Sequence, residues 1–175
     1  LTLAENVALP LSEHTRLPRR TIRAAALRTL ALVGLEAFAD YYPNQLSGGM
    51  RKRAGLARAI VTEPSVLLCD EPTSGLDPIT AAQMDQLLLD MRARYAEMTM
   101  VVVSHDLASL ARIADHVLVL RDGRAVFSGP HAALMASEDP YLRRFMRREV
   151  ENNQGATHSP LDPAVREALD LWLDR

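Results

Sequence analysis

The chain has 175 residues, enough for one domain of ordinary size. Hydrophobic residues make up 48% and charged residues 24%, the balance of a soluble globular protein, and a net charge of −2 gives no global reason to invoke nucleic acid. No apolar run approaches the ~20 residues needed to span a bilayer, and no basic-then-apolar signal pattern opens the sequence. The only cysteine, Cys69, excludes an internal disulfide and is expected to be a small core residue in a reducing, cytosolic compartment. Of the 20 basic residues only Lys52 is a lysine, and it follows Arg51. A phosphate-cradling loop needs a Gly-Lys pair opening a helix, and the sequence contains no such pair.

Residues 1–20 read as irregular, with Pro10 and Pro18 as breakers. Thr21 to Val33 reads as a helix with Ile22, Ala25, Ala26, Leu30 and Val33 on one face and Gly34 placed to end it. A loop over 39–46 leads through Ser47-Gly48-Gly49 into a second helix, roughly 50–62, with Leu56, Ala59 and Ile60 inward. Val66 to Asp70 is a short apolar run, as expected of a strand buried on both faces. After a turn, Pro78 opens a helix to about Arg94, with Met84, Leu87, Leu88 and Met91 inward. Thr99 to Ser104 is a second buried strand and 106–114 a short helix. His116–Leu120 and Arg124–Phe127 flank Asp122-Gly123, a strong hairpin signal. The order of strand, helix, strand, helix and hairpin predicts an α/β fold, a mainly parallel sheet with a small antiparallel edge. Residues 140–149 and 162–174 read as helices separated by a polar linker over about 150–160.

Four constellations carry chemistry. In Leu46-Ser47-Gly48-Gly49-Met50, two glycines let backbone approach a ligand without a Cβ in the way. The helix that follows offers free N–H groups and the positive end of its dipole, an anion site suited to a terminal phosphate. The same residues also read simply as a loop and helix cap. In Leu67-Leu68-Cys69-Asp70-Glu71-Pro72, carboxylates emerge at the carboxyl end of a buried strand, where α/β folds bind ligands. Asp70 can orient Mg²⁺ and its waters. Adjacent residues point to opposite faces, so the two carboxylates cannot act as a facing pair, and one can hold metal while the other reaches a water as general base; an acidic turn cap is the plainer alternative. Ser74-Gly75-Leu76-Asp77 is good turn and N-cap chemistry. Ser104-His105-Asp106 follows the second strand. It is a poor hydrolase triad, because such triads are assembled from separate chain segments.

Together the four resemble one family. LSGGM resembles the signature of ABC transporter ATPases, LLCDEP their Walker B motif with its catalytic glutamate, SGLD their D-loop and SHD their histidine switch, in the family's order and at about its spacing. The resemblance covers roughly residues 1–135. It implies a partial P-loop NTPase domain over 1–139 with a helical subdomain at about 12–62 and a C-terminal helical extension over 140–175. It also implies ATP sandwiched between two such domains. Ser47, Gly48 and Gly49 would contact the γ-phosphate bound to a partner subunit. Asp70 would serve Mg²⁺ through water, Glu71 would polarise the attacking water, His105 would contact the γ-phosphate and Asp77 would communicate across the dimer. LSGGMRKRAGLARAI followed by DEPTSGLDPI looks most like the ATPases of MCE-associated, Mla-type phospholipid transporters. That likeness implies a homodimer at the cytoplasmic face of the inner membrane, bound to transmembrane permease subunits, with a lipid-binding MCE protein as a further partner and no nucleic acid.

The family's Walker A loop and Q-loop would lie upstream of Leu1. The chain is therefore expected to be a fragment of a longer ATPase, inactive alone, rather than a naturally short, non-hydrolysing regulatory subunit. DNA-maintenance ATPases of the SMC type share three of the motifs, but there a long coiled coil precedes the signature, whereas Thr21 to Val33 is one short helix. In the tail, Leu142, Phe145 and Met146 share a face ringed by Arg143, Arg144, Arg147 and Arg148. Val165, Ala168, Leu169 and Trp172 form a second stripe, expected to dock on the second ATPase subunit.

Overall fold

A computed structural model of the chain describes residues 1–147. They separate into two compact units, residues 1–131 and 132 onward. The first opens with α1 (Leu3–His14), α2 (Arg19–Leu32) and α3 (Gly48–Ile60). Then come β1 (Val66–Asp70), α4 (Pro78–Arg94), β2 (Thr99–Val103), α5 (Leu107–Ile113) and the hairpin β3 (His116–Arg121) and β4 (Arg124–Pro130). The second unit carries most of α6 (His131–Met135) and α7 (Pro140–Arg147). Asp139 caps α7, accepting from the N–H groups of Tyr141 and Leu142 at 2.8 and 3.0 Å. The second apolar stripe, Val165 to Trp172, lies outside the described residues.

The opening stretch is helical, not irregular. Thr2 and Glu5 form a capping box, with the Thr2 N–H donating to Glu5 Oε2 at 2.7 Å and the Glu5 N–H to Thr2 Oγ1 at 3.3 Å. Two further first-turn donors are satisfied from outside the helix: the N–H of Leu3 reaches Tyr41 O and that of Ala4 reaches Ala39 O, both at 2.8 Å. Leu3, Ala4, Val7 and Leu11 form a buried stripe. This packing outweighs the ~3 kcal/mol that Pro10 costs inside a helix.

α2 ends as its glycine predicts. Gly34 takes φ +70°, its N–H reaches Ala31 O at 3.1 Å, and the N–H of Leu35 reaches Leu30 O at 2.8 Å. Leu30 and Leu35 are both fully buried, the apolar contact that accompanies this cap. α1, α2 and one side of α3 share a core through Val7, Ala26, Leu30 and Ala57. The other side of α3, Leu56 and Ile60, belongs to a second core with Leu67 of β1 and Met84, Leu88 and Met91 of α4. The expected inward position of Ala59 is corrected: it is exposed, and Ala57 takes its place. α3 therefore belongs to both cores.

β1, α4 and β2 form a strand–helix–strand unit with parallel strands, in register from Val66 opposite Thr99 to Asp70 opposite Val103. Burial on both faces is corrected. Leu67 is 4% exposed, but Val66, Leu68, Val101 and Val103 are 46–74% exposed. One face packs on α3 and α4, while the described residues leave the other uncovered. The hairpin turns at Asp122 and Gly123, with φ +50° and +73°, the positive pair that a two-residue turn of this hand requires. Among the described residues, β3 and β4 form their own two-stranded sheet rather than an edge of the parallel pair.

Candidate functional site

The parallel register brings two separated motifs together. Asp70 ends β1 opposite Val103, the end of β2, so the residues just beyond both strands share the carboxyl edge of the sheet. There the Glu71 N–H donates to Val103 O at 2.8 Å, continuing the ladder by one rung. Glu71 then leaves the strand with φ +47°. A left-handed conformation costs a non-glycine residue about 1–3 kcal/mol and persists where its surroundings fix it. The fixing contacts are visible. Glu71 O accepts from Lys52 Nζ at 2.7 Å and from the N–H of Ser74 at 3.2 Å. Glu71 Oε1 accepts from the backbone N–H of His105 at 3.1 Å and lies 2.8 Å from His105 Nδ1. Glu71 Oε2 is shielded from solvent and has no hydrogen-bond partner among the described residues. The His105 side chain is 81% exposed, so the imidazole reaches outward past the carboxylate that holds it. Asp70 is exposed, one residue before Glu71.

The signature stretch is both cap and candidate anion site. Ser47 is the N-cap of α3, its hydroxyl accepting from the N–H of Met50 at 3.2 Å. The two glycines differ. A Cβ on Gly48 would meet nothing within 4 Å, whereas one on Gly49 would fall 2.7 Å from Thr80 Cγ2. Gly48 lies in open space, and Gly49 lets the start of α3 pack against the start of α4. Asp77 caps α4. Its Oδ1 accepts from the N–H groups of Ile79 and Thr80 at 3.0 Å, and its Oδ2 accepts from Thr80 Oγ1 at 2.5 Å. The Thr80 hydroxyl, and then the backbone N–H groups, hold the Asp77 carboxyl below its ordinary value.

The three basic residues after the signature each serve a different carbonyl. Arg51 Nη1 donates to Leu46 O, Lys52 to Glu71 O, and Arg53 Nη1 to Val33 O at 3.3 Å, at the end of α2. Sequence reasoning singled out Lys52 as the lone lysine without giving it a contact. It missed Asp85 altogether. This carboxylate is buried on α4 and accepts from Ser109 Oγ at 2.5 Å, with Arg112 Nη1 at 3.6 Å. The available signal was an acid beside Met84 and three residues before Leu88, within the inward stripe. A surface depression of about 650 Å³, lined by Leu1, Asn6, Tyr42, Pro43, Asn44 and Gln45, contains none of the expected site residues. Among the described residues, no group of three or more His, Cys, Asp or Glu can hold a metal by itself.

A carboxylate contacted by a histidine at the carboxyl edge of a parallel pair thus shares one compact unit with a glycine-opened helix cap. Residues 1–74 match the family model described as ABC transporter. Over 146 residues the chain is 42% identical to the intermembrane phospholipid transport system ATP-binding protein MlaF of Escherichia coli strain K12, and 41% identical to the probable ribonucleotide transport ATP-binding protein mkl of Mycobacterium bovis.

The chain belongs to the ABC transporter ATPase family.

Both alignments cover 83% of this chain, and they cover 54% of MlaF and 40% of mkl, so the chain spans about half the length of the curated relatives it matches. The methionine import ATP-binding protein MetN 2 of Pseudomonas entomophila is 41% identical over 155 residues, 88% of this chain and 46% of that protein. Among solved structures, the ATP-binding cassette MJ0796, a dimeric post-hydrolysis state bound to ADP and Pi, superposes with a TM-score of 0.65 at 38% identity, covering 74% of this chain and 56% of that one. The α/β fold of this chain is thus that of part of an ABC ATPase domain.

Proposed function

We propose that this chain contributes the signature, Walker B, D-loop and histidine-switch portions of an ATP-hydrolysing motor subunit that powers phospholipid transport across the bacterial envelope. The observation that carries the reading is Glu71: a carboxylate at the carboxyl edge of the strand pair, fixed through Oε1 by His105. An acceptor held in that way suits a general base for the water that attacks a terminal phosphate. His105, exposed beside it, reaches the γ-phosphate. Ser47, Gly48 and Gly49 cap the phosphate of a nucleotide held by a second subunit, and Asp77 communicates across the dimer.

The residues fit ATP with Mg²⁺. Mg²⁺ takes one or two carboxylates plus phosphate oxygens and waters rather than an all-protein cage, which agrees with a lone exposed Asp70 and no larger acidic cluster among the described residues. Asp70 would hold the ion's waters, and the ion would neutralise charge between phosphate groups. The solved relative is dimeric, which supports a second copy of the subunit as first partner. Transmembrane permease subunits and a lipid-binding MCE protein complete the proposed assembly at the cytoplasmic face of the inner membrane. None of the described helices is long and apolar enough to cross a membrane, in keeping with attachment through those partners.

Relatives named for phospholipid, ribonucleotide and methionine transport match at nearly equal identity. What they share is nucleotide-powered transport, and cargo is the finer part of the proposal. Met50 and the following Arg-Lys-Arg favour the phospholipid branch. The test is Mg²⁺-dependent ATP turnover by the full-length protein assembled with its permease in liposomes, with labelled phospholipid, methionine and ribonucleotide offered in turn. Turnover coupled to phospholipid movement is expected. Turnover coupled only to another cargo would reassign the branch, and absence of turnover would remove the motor reading.

A further inference from the structure

Lys52 and Glu71 lie on different elements and meet at one contact: Lys52 Nζ donates to Glu71 O at 2.7 Å. The contact matters because of what Glu71 does with its backbone. It precedes Pro72, a position that favours extended conformations, yet its φ is +47°. That conformation sends the carbonyl toward α3 while the side chain reaches His105 beyond the end of β2. Remove the ammonium, and the carbonyl keeps only the Ser74 N–H at 3.2 Å, a neutral donor on the same turn. The strained conformation then loses its charged partner, and the extended alternative gains.

We propose that Lys52 is a positioning residue for Glu71: its ammonium holds the left-handed backbone that aims the carboxylate, and fastens that backbone to the helix capped by Ser47. This rests on Glu71 being the water-activating base. Lys52 sits in the second turn of α3, the helix whose first turn carries Gly48 and Gly49. α3 also belongs to both apolar cores, so it moves as a packed rod. A shift of the signature loop on meeting a nucleotide is then delivered to the Glu71 carbonyl through one side chain. Arg51 and Arg53 on the same helix bind other carbonyls and do not substitute.

The experiment measures kcat and KM for ATP, and Tm, in the full-length protein for wild type, Lys52→Met, Lys52→Arg and Glu71→Gln. Methionine keeps most of the apolar stem and removes the donor. A hydrogen bond from a charged group governs a roughly ten- to hundredfold change when lost. Lys52→Met is therefore expected to lower kcat by about that factor, with KM for ATP and Tm little changed, and Lys52→Arg to restore most of kcat. Wild-type kcat in Lys52→Met beside a dead Glu71→Gln overturns the inference and leaves Glu71's role standing. Equal losses of kcat and Tm in both Lys52 variants make the residue merely structural and also overturn it. Wild-type turnover in Glu71→Gln overturns the role of Glu71, and the inference with it.

Discussion

Thr80 stands where a side chain on Gly49 would have to go: a Cβ there falls 2.7 Å from Thr80 Cγ2. Thr80 has little freedom to yield, because its hydroxyl is held by Asp77 Oδ2 at 2.5 Å and its N–H by Asp77 Oδ1 at 3.0 Å. Gly49→Ala gains up to about 1 kcal/mol of helix propensity and meets an overpacking penalty of about 1–3 kcal/mol. A lowered Tm is the expected outcome. Gly48→Ala meets nothing within 4 Å and should hold or raise stability by about 0.4–1 kcal/mol, while slowing ATP turnover in the assembled dimer. Thermal melts and turnover measured on both variants separate packing from phosphate approach. Equal stability of the two would contradict the division.

Asp85 joins α4 to α5 through Ser109 Oγ. Asp85→Ala leaves that hydroxyl buried without its acceptor, a loss of about 1–3 kcal/mol. Arg112 is half-exposed and 3.6 Å away, so Arg112→Ala should cost no more than about 1 kcal/mol. Chemical denaturation of the two variants checks the order, and the reverse order would show that the ion pair dominates.

The Asp77 cap carries a pH signature. Its carboxyl is held below the ordinary 3.8 in the folded chain, first by the Thr80 hydroxyl. A lowered folded value means that the stabilisation is fully present above the unfolded value and is lost as pH falls through the folded one. Wild type should therefore keep a constant stability difference from Asp77→Asn above about pH 5, and that difference should shrink below 3.8. Parallel melts of the two proteins across that range test it. A difference that disappears near neutral pH would contradict it.

The site motifs were legible because their chemistry is local: a serine before two glycines, acids after an apolar run, Asp77-Pro78 opening α4 at the residue expected. The turn at Asp122-Gly123 and the stop at Gly34 were legible for the same reason. α1 was not, because Pro10 dominates a local reading, whereas its stability comes from burial of Val7 and Leu11 and from carbonyls of Ala39 and Tyr41 far along the chain. Which residues of β1 face the helices was not legible either, since every residue from Val66 to Cys69 is apolar and only Leu67 is buried. The Lys52 contact depends on a backbone conformation at Glu71 that no residue type announces.

Glu71→Gln in the full-length protein tests the central claim most directly. An amide keeps the size of the side chain but cannot take a proton from water. ATP turnover should fall by roughly 10²–10⁴-fold, the range for loss of a general base, while ATP binding, followed by a labelled nucleotide, is retained. Turnover near the wild-type rate, with binding intact, would contradict the account.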